Sequence, residues 1–198
     1  MPDAPGVRHV SIDRDNNVWI GGYPYDIRSF HKLSGSTGQI LDSFAAPGCG
    51  GYGGLVDKNG ILWSASLSES SLLRYDPNTR VGTCILSPGS YGLGIDSQGI
   101  IWNSQFYDSA ILSVDPNGNV LNTYPTGGFN SRGVAVTSDD DVWVANSGSD
   151  TVTRLNNADG NIKARIPVGI TPTGVSVDSD GYVPKLVFIV ALACVHYV

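Results

Sequence analysis

Cationic, aromatic and amide side chains recur at two places in a sequence pattern that is written several times along this chain. One place precedes the first strand signal of a copy, and the other follows the second strand signal. Guanidinium groups bind anions through charge-assisted hydrogen bonds, and tyrosine rings stack on flat ligands. The pattern therefore predicts a ligand-binding set suited to an anionic or aromatic ligand. Its members are Arg8, His9, Tyr52, Tyr91, Gln105, Arg132 and Asn146.

The same sequence offers little for acid–base or metal chemistry. It has three histidines, a single glutamate, Glu69, and three cysteines without the close spacing of a zinc site. A general acid–base mechanism needs a histidine or carboxylate poised beside a second such group, and no pair of this kind recurs in the copies. We therefore predict no catalytic residue and no metal ligand.

The repeated pattern itself predicts the scaffold. A glycine followed by a short apolar strand, a turn and a tryptophan is written four times, and a fifth copy starts at Gly174. The tryptophans Trp19, Trp63, Trp102 and Trp143 are 44, 39 and 41 residues apart. A period near forty residues with short strands inside it is typical of a β-propeller.

Each copy contains four strand signals separated by turns rich in Asp, Pro, Asn and Gly, as in Asp115-Pro-Asn-Gly-Asn119. Four consecutive antiparallel strands form one blade, so the fold class is all-β, with at least sixteen strands. We expect propeller repeats over residues 1–183 and an atypical apolar tail over 184–198. The expected blades are residues 6–48, 52–90, 91–130, 131–170 and a partial fifth at 171–183.

Two residue types recur inside the copies, and we expect structural roles for both. A tryptophan at the same place in every blade is best suited to packing between blades. The aspartates at the first hairpin, Asp13, Asp57, Asp96 and Asp178, are expected to bond the turn backbone.

The end of the repeated pattern differs from the rest. The fifth copy gives Tyr182-Val183-Pro184 where a second strand should run, and proline cannot donate to a central strand ladder. We therefore expect an incomplete propeller, with a compact ring as the alternative. Open sheet edges would promote self-association.

Composition excludes some partners. A formal charge of −6 without a basic run argues against nucleic acid. The longest apolar run, Leu186 to Val195, is too short to span a bilayer as a helix. Few lysines among many Asn, Ser, Thr and Gly favour a secreted or periplasmic protein, although residues 1–5 do not resemble a signal peptide.

Two of the cysteines leave alternatives open. Cys49 and Cys84 precede equivalent tyrosine-glycine pairs in successive copies. They could form a disulfide in an oxidising compartment, or they could remain two separate buried thiols.

The stretch from Gly133 to Leu155 resembles an NHL-type propeller blade, and the combined pattern over residues 6–183 also resembles the streptogramin (virginiamycin B) lyase-like repeats. The resemblance implies the propeller fold. It also implies an alternative function: a lyase or hydrolase acting on a cyclic ester or lactone, with a divalent metal such as magnesium. Our leading hypothesis is a binding or interaction module without a cofactor, whose small-molecule or protein partner meets the tunnel mouth.

Overall fold

The computed structural model describes residues 6–22, 28–178 and 183. Within these ranges the chain forms sixteen strands and no helix, which confirms the all-β prediction. The chain divides into two compact units, Met1–Leu93 and Gly94–Val198.

The first unit contains two complete four-stranded sheets, each an antiparallel meander in chain order. The first sheet, blade one, comprises β1 (Val7–Ile12), β2 (Val18–Gly22), β3 (Ser29–Leu33) and β4 (Ile40–Ala45). The second sheet, blade two, comprises β5 (Gly54–Val56), β6 (Leu62–Ser66), β7 (Ser71–Asp76) and β8 (Val81–Leu86).

The other two sheets repeat this order. Blade three comprises β9 (Ser90–Ile95), β10 (Ile101–Gln105), β11 (Ala110–Val114) and β12 (Val120–Pro125). Blade four comprises β13 (Ser131–Val136), β14 (Val142–Asn146), β15 (Thr151–Leu155) and β16 (Ile162–Pro167). The strand signals in the sequence of this repeat, at residues 92–96, 100–104, 110–114 and 120–124, agree with the four strands of blade three to within two residues at each end.

Each unit has its own apolar core between its two blades. In the first unit, Trp19 and Phe30 of blade one pack with Leu62, Leu73 and Tyr75 of blade two. In the second unit, Trp102 and Ile111 pack with four buried apolar residues of blade four. Trp19, Trp63 and Trp102 are almost completely buried, and the packing between blades predicted for the tryptophans is confirmed for Trp19 and Trp102.

Three of the four aspartates predicted to bond a first hairpin, Asp13, Asp57 and Asp96, have that role. In Asp13, Asp57 and Asp96, Oδ1 accepts two backbone N–H groups of its own turn, at 2.8–3.0 Å. In blades two and three, Oδ2 accepts a further bond from the buried tryptophan, at 3.1 Å from Trp63 and 3.0 Å from Trp102. The aspartate therefore ties the hairpin to the core, which the sequence alone did not indicate.

The predicted partial fifth blade is not shown. Residues 171–178 contain no strand, although the backbone N–H of Gly133 donates to the carbonyl of Thr173 at 3.0 Å. The predicted tail at 184–198 lies outside the described residues. No helix in the described ranges is long and apolar enough to cross a membrane.

Candidate ligand-binding site

Three residues of the predicted set meet in the first unit, beside the N-terminal ends of first strands. The Arg8 guanidinium carbon lies 4.3 Å from the centre of the Tyr52 ring. The Tyr52 and Tyr91 rings meet edge to face, with centroids 4.8 Å apart. Arg8 is exposed and both tyrosines are half-buried, so one cation and two rings form a continuous surface.

Tyr52 is held in place by a glycine-rich loop. Gly50 and Gly51 have φ values of 88° and 93°, a region that residues with a side chain rarely adopt. Their N–H groups donate to the hydroxyls of Ser66 and Ser64, and the N–H of Tyr52 donates to the carbonyl of Ala65 at 3.0 Å. The backbone beside Tyr52 is therefore fixed by β6.

A disulfide anchors the start of the same loop. Cys49 and Cys84 are bonded, with their Cα atoms 6.0 Å apart, so the alternative of two separate thiols is wrong. Cys49 is buried at the end of the connection from blade one, and Cys84 is exposed on β8. The bond therefore ties the connection that carries Tyr52 to the outermost strand of blade two.

His9 lies below this surface, not on it. Its side chain is completely buried, its Nδ1 is 2.9 Å from Ser64 Oγ, and its Nε2 is 2.8 Å from Ser11 Oγ. Ser64 Oγ donates to the carbonyl of Gly53 and accepts from Gly51 N–H, so its remaining lone pair suits a proton on His9 Nδ1. Burial lowers the pKa of His9 to about 4, so the ring is neutral at pH 7.

Glu69 is also engaged in supporting the loop. The buried Arg28 donates to the carbonyl of Gly50 at 2.8 Å and forms an ion pair with Glu69. The single glutamate of the chain thus balances the charge of an arginine that braces the glycine-rich loop.

In the second unit, Arg132 occupies a similar aromatic setting. Its guanidinium carbon is 5.2 Å from the centre of the Phe106 ring, and it donates to Thr173 Oγ1 at 3.3 Å. Phe106 in turn contacts Tyr107, which is 64% exposed. Sequence reasoning missed these two aromatics because it considered strand ends, whereas they lie in the loop between β10 and β11.

The two amide members of the predicted set are buried. Gln105 is 3% exposed at the end of β10, and Asn146 is fully buried at the end of β14. Asn146 accepts from Ser131 Oγ at 3.0 Å and donates to Thr153 Oγ1 at 2.9 Å. These bonds cross-link three strands of blade four, so the structure assigns Asn146 a bracing role and leaves a ligand role as a prediction.

The described histidines are bonded to hydroxyl groups. His9 contacts Ser64 and Ser11, and His31 Nδ1 is 2.7 Å from Ser43 Oγ. In the ranges that the structure describes, no group of three or more His, Cys, Asp and Glu side chains could hold a metal ion. The arrangement that is present suits recognition by stacking and charge.

No protein-family model matches the sequence. No curated protein matches it either. Solved structures do match in fold. A streptogramin B lyase superposes with a TM-score of 0.78 at 20% identity, over 92% of this chain and 62% of that chain.

Two structures of virginiamycin B lyase from Staphylococcus aureus are also similar. A catalytically inactive variant with quinupristin gives a TM-score of 0.77 at 17% identity, covering 93% of this chain and 65% of that one. The selenomethionine-substituted protein gives 0.68 at 12% identity, covering 93% and 79%. This chain spans less than two thirds of the length of the streptogramin B lyase. At identities this low, the structural similarity shows the fold alone. On that basis the chain has a streptogramin lyase-like β-propeller fold.

Proposed function

We propose that this protein is a propeller-type binding module that recognises an anionic or aromatic group on a small molecule or protein partner. The observation that carries the proposal is the contact of Arg8 with Tyr52 and of Tyr52 with Tyr91. These residues are 44 and 39 positions apart in sequence, yet they form one surface at equivalent places of successive repeats. Variable residues grafted on a repeated framework are typical of a binding site.

The chemistry of this surface supports the choice of ligand. A guanidinium group can stack on a tyrosine ring, and its planar donors recognise carboxylates and phosphates through paired hydrogen bonds. The neighbouring ring of Tyr91 offers a second flat face or edge for an aromatic substituent. The tethered backbone at Cys49 to Tyr52 keeps the rings in place before a ligand arrives, which lowers the entropic cost of binding.

The alternative, a lyase or hydrolase acting on a cyclic ester or lactone, rests on likeness of fold. Such a reaction needs a base positioned beside the substrate. The buried, serine-bonded position of His9 does not offer one at the surface of Arg8 and Tyr52, so we place binding first. Incubation with quinupristin and simple lactones, with and without magnesium, tests the alternative. Turnover that chelation abolishes would establish it.

The binding proposal is tested by a thermal-shift screen of aromatic carboxylates and phosphates, followed by titration of the best ligand. Arg8→Ala should weaken an anionic ligand by about 1.5–3 kcal/mol, the range for a hydrogen bond to a charged group. Arg14→Ala removes an exposed arginine from the first hairpin, at the other end of β1, and is the matched control. Equal weakening by both variants would show that only net charge matters, and would contradict the site.

A further inference from the structure

Three of the four blades place a cation over their tryptophan from the neighbouring third strand. Lys32 Nζ lies 5.9 Å from the Trp19 ring centre, and the guanidinium carbons of Arg74 and Arg154 lie 5.7 Å and 5.4 Å from Trp63 and Trp143. Each cation is directly opposite its tryptophan in the strand register. The fold thus contains a niche, formed by the tryptophan and the first hairpin, in which a cation fits.

Blade three has the niche without the cation. The residue opposite Trp102 is Ser113, whose side chain is short and neutral. A cavity of about 290 Å³ lies at this place. Its lining contains no lysine or arginine and consists of Asp96, Gln98, Ile100, Trp102, Ser113, Leu121, Asn122, Tyr124, Asn157 and Ala158.

The equivalent seam in the first unit, the contact between blades one and two, shows which side chains would fill such a cavity. There Lys32 Nζ reaches Asp13 Oδ2 at 2.7 Å, and Arg80, from the last hairpin of blade two, pairs with Asp42 at 3.0 Å. In the second unit the register places Asn122 where blade one has Asp42. Gly160 takes the place of Arg80, since both have positive φ, 69° and 58°, in the turn before the fourth strand. Both cations are therefore replaced by residues without a charge: the short side chain of Ser113 leaves space beside Trp102, and the Tyr124 ring packs against Gly160.

One negative charge remains in the open niche. Asp96 is buried, and its carboxylate accepts from two backbone N–H groups and from Trp102 Nε1. Among the described residues Asp96 forms no ion pair, whereas the equivalent Asp13 is paired with Lys32. Oδ2 of Asp96 accepts a hydrogen bond from the indole with one lone pair, and its second lone pair can accept from another donor. A carboxylate in this position favours a cation within a few ångströms.

We propose that the cavity between blades three and four binds an alkylammonium or alkylguanidinium group, which takes the place that Lys32, Arg74 and Arg154 hold in the other blades. The charged head would lie by Asp96 and over Trp102, as Lys32 lies by Asp13 and over Trp19. The alkyl chain would contact Ile100 and Leu121. This site is separate from the Arg8–Tyr52–Tyr91 surface, because the two share no residue and the cavity is lined by residues of the second unit.

The experiment follows the indole N–H resonance of Trp102 in ¹H–¹⁵N spectra of the whole chain, because that N–H donates to Asp96. The probes are cadaverine and agmatine as free amines and N-acetyl-lysine amide as a peptide-borne amine. The neutral control is 1,5-pentanediol. We expect the cations to shift the Trp102 signal in a saturable way with millimolar affinity, and the affinity to fall with added salt. A response to N-acetyl-lysine amide alone would assign the site to protein side chains, and a response to the free amines alone would assign it to small amines.

The decisive variant is Ser113→Lys, which gives blade three the residue that blade one carries at this position. It should fill the niche from within and weaken binding of the amines at least about tenfold, which corresponds to about 1.4 kcal/mol. Asn117→Lys adds the same charge on the exposed hairpin of the same blade, outside the cavity, and should bind as the parent does. If Ser113→Lys fails to fold, Ala158→Trp blocks the entrance from the facing hairpin and should have the same effect.

Three results would overturn the proposal: no shift of the Trp102 signal with any cation, an equal shift with 1,5-pentanediol, or unchanged binding in a folded Ser113→Lys or Ala158→Trp variant. Failure of the Arg8 surface to bind anions would leave this inference intact, since the two sites share no residue.

Discussion

His9 shows how strongly the surroundings of one residue decide its chemistry. The sequence places it beside Arg8, which suggested a shared ligand role, but the regular pairing of β1 with β2 is interrupted between Val7 and His9, and the two side chains have different surroundings. Arg8 is exposed, while His9 is enclosed by Phe30, Ser11 and Ser64. The ring therefore acts as a neutral spacer that fixes Ser64 and, through it, the loop of Tyr52.

Acid should destabilise the protein through this histidine. The folded pKa of about 4 lies below the usual value of 6.5, so between these pH values His9 is protonated in the unfolded chain and neutral in the folded chain. The contribution of neutral His9 to the free energy of unfolding is therefore complete above pH 6.5 and is lost as the pH falls toward 4. We expect a loss of roughly 2 kcal/mol of unfolding free energy between pH 7 and pH 5.

Urea unfolding at the two pH values measures this loss, and His9→Gln removes the titrating group. The pKa values of Asp13, Asp115 and Asp139 are also lowered, but from 3.8, so these carboxylates change the stability mainly below pH 4 and do not affect the comparison of pH 7 with pH 5. An unchanged pH dependence in His9→Gln would show that another group is responsible.

The bond between Asp57 and Trp63 leads to a second prediction at this scale. Asp57→Asn keeps an oxygen for the turn but turns an N–H₂ group toward the buried indole N–H, so two donors face each other. We expect a loss of about 1–3 kcal/mol in the free energy of unfolding, the cost of an unsatisfied buried polar group. Asp76→Asn, at an exposed turn, is the control and should change stability by less than about 0.5 kcal/mol.

At the scale of elements, the disulfide joins pieces that the strand ladders do not. It connects the segment after β4 to β8 and closes a loop of 35 residues. Chain-entropy arguments give about 3–4 kcal/mol for a loop of this length. The double variant Cys49→Ala/Cys84→Ala should lose that much in denaturant unfolding, and reduction of the parent should have the same effect.

The disulfide prediction has a second readout, because the loop also carries Tyr52. If its hydrogen bonds to β6 suffice, the double variant will keep its affinity for an anionic ligand while losing stability. A fall in affinity without a fall in stability would instead make the disulfide a part of the binding surface.

The strands were largely predictable because each blade repeats local rules: alternation along strands, glycine or Asx residues in turns, and a tryptophan at a fixed distance. The site was predictable only in part. Arg8, Tyr52 and Tyr91 could be brought together because equivalent repeat positions become neighbours. The exposure of His9 and Asn146 could not be judged, because burial depends on which face of a strand meets the next blade. The cation niche could not be predicted either, because finding it requires knowing which residue is paired with each tryptophan in the strand register.

At the scale of the whole molecule, the chain consists of two units that each bury their own core. Blades in repeat proteins contact chiefly their neighbours, so stability is distributed along the chain. Deleting residues 184–198 should therefore leave the sixteen strands folded. Far-UV circular dichroism and the indole N–H spectrum of the truncated protein check this, and cooperative loss of all four indole signals would show that the tail is required for closure.

The tryptophan niches also give each blade an intrinsic fluorescence probe. Every blade has one indole, and no two niches are chemically the same. The residue opposite the ring is lysine in blade one, arginine in blades two and four, and serine in blade three. An aspartate carboxylate accepts a hydrogen bond from the indole nitrogen in blades two and three only. Fluorescence emission responds to such charges and to exposure. Variants that keep a single tryptophan, with phenylalanine at the other three positions, would report the melting of one blade at a time. The order in which the blades come apart could then be measured without an added dye.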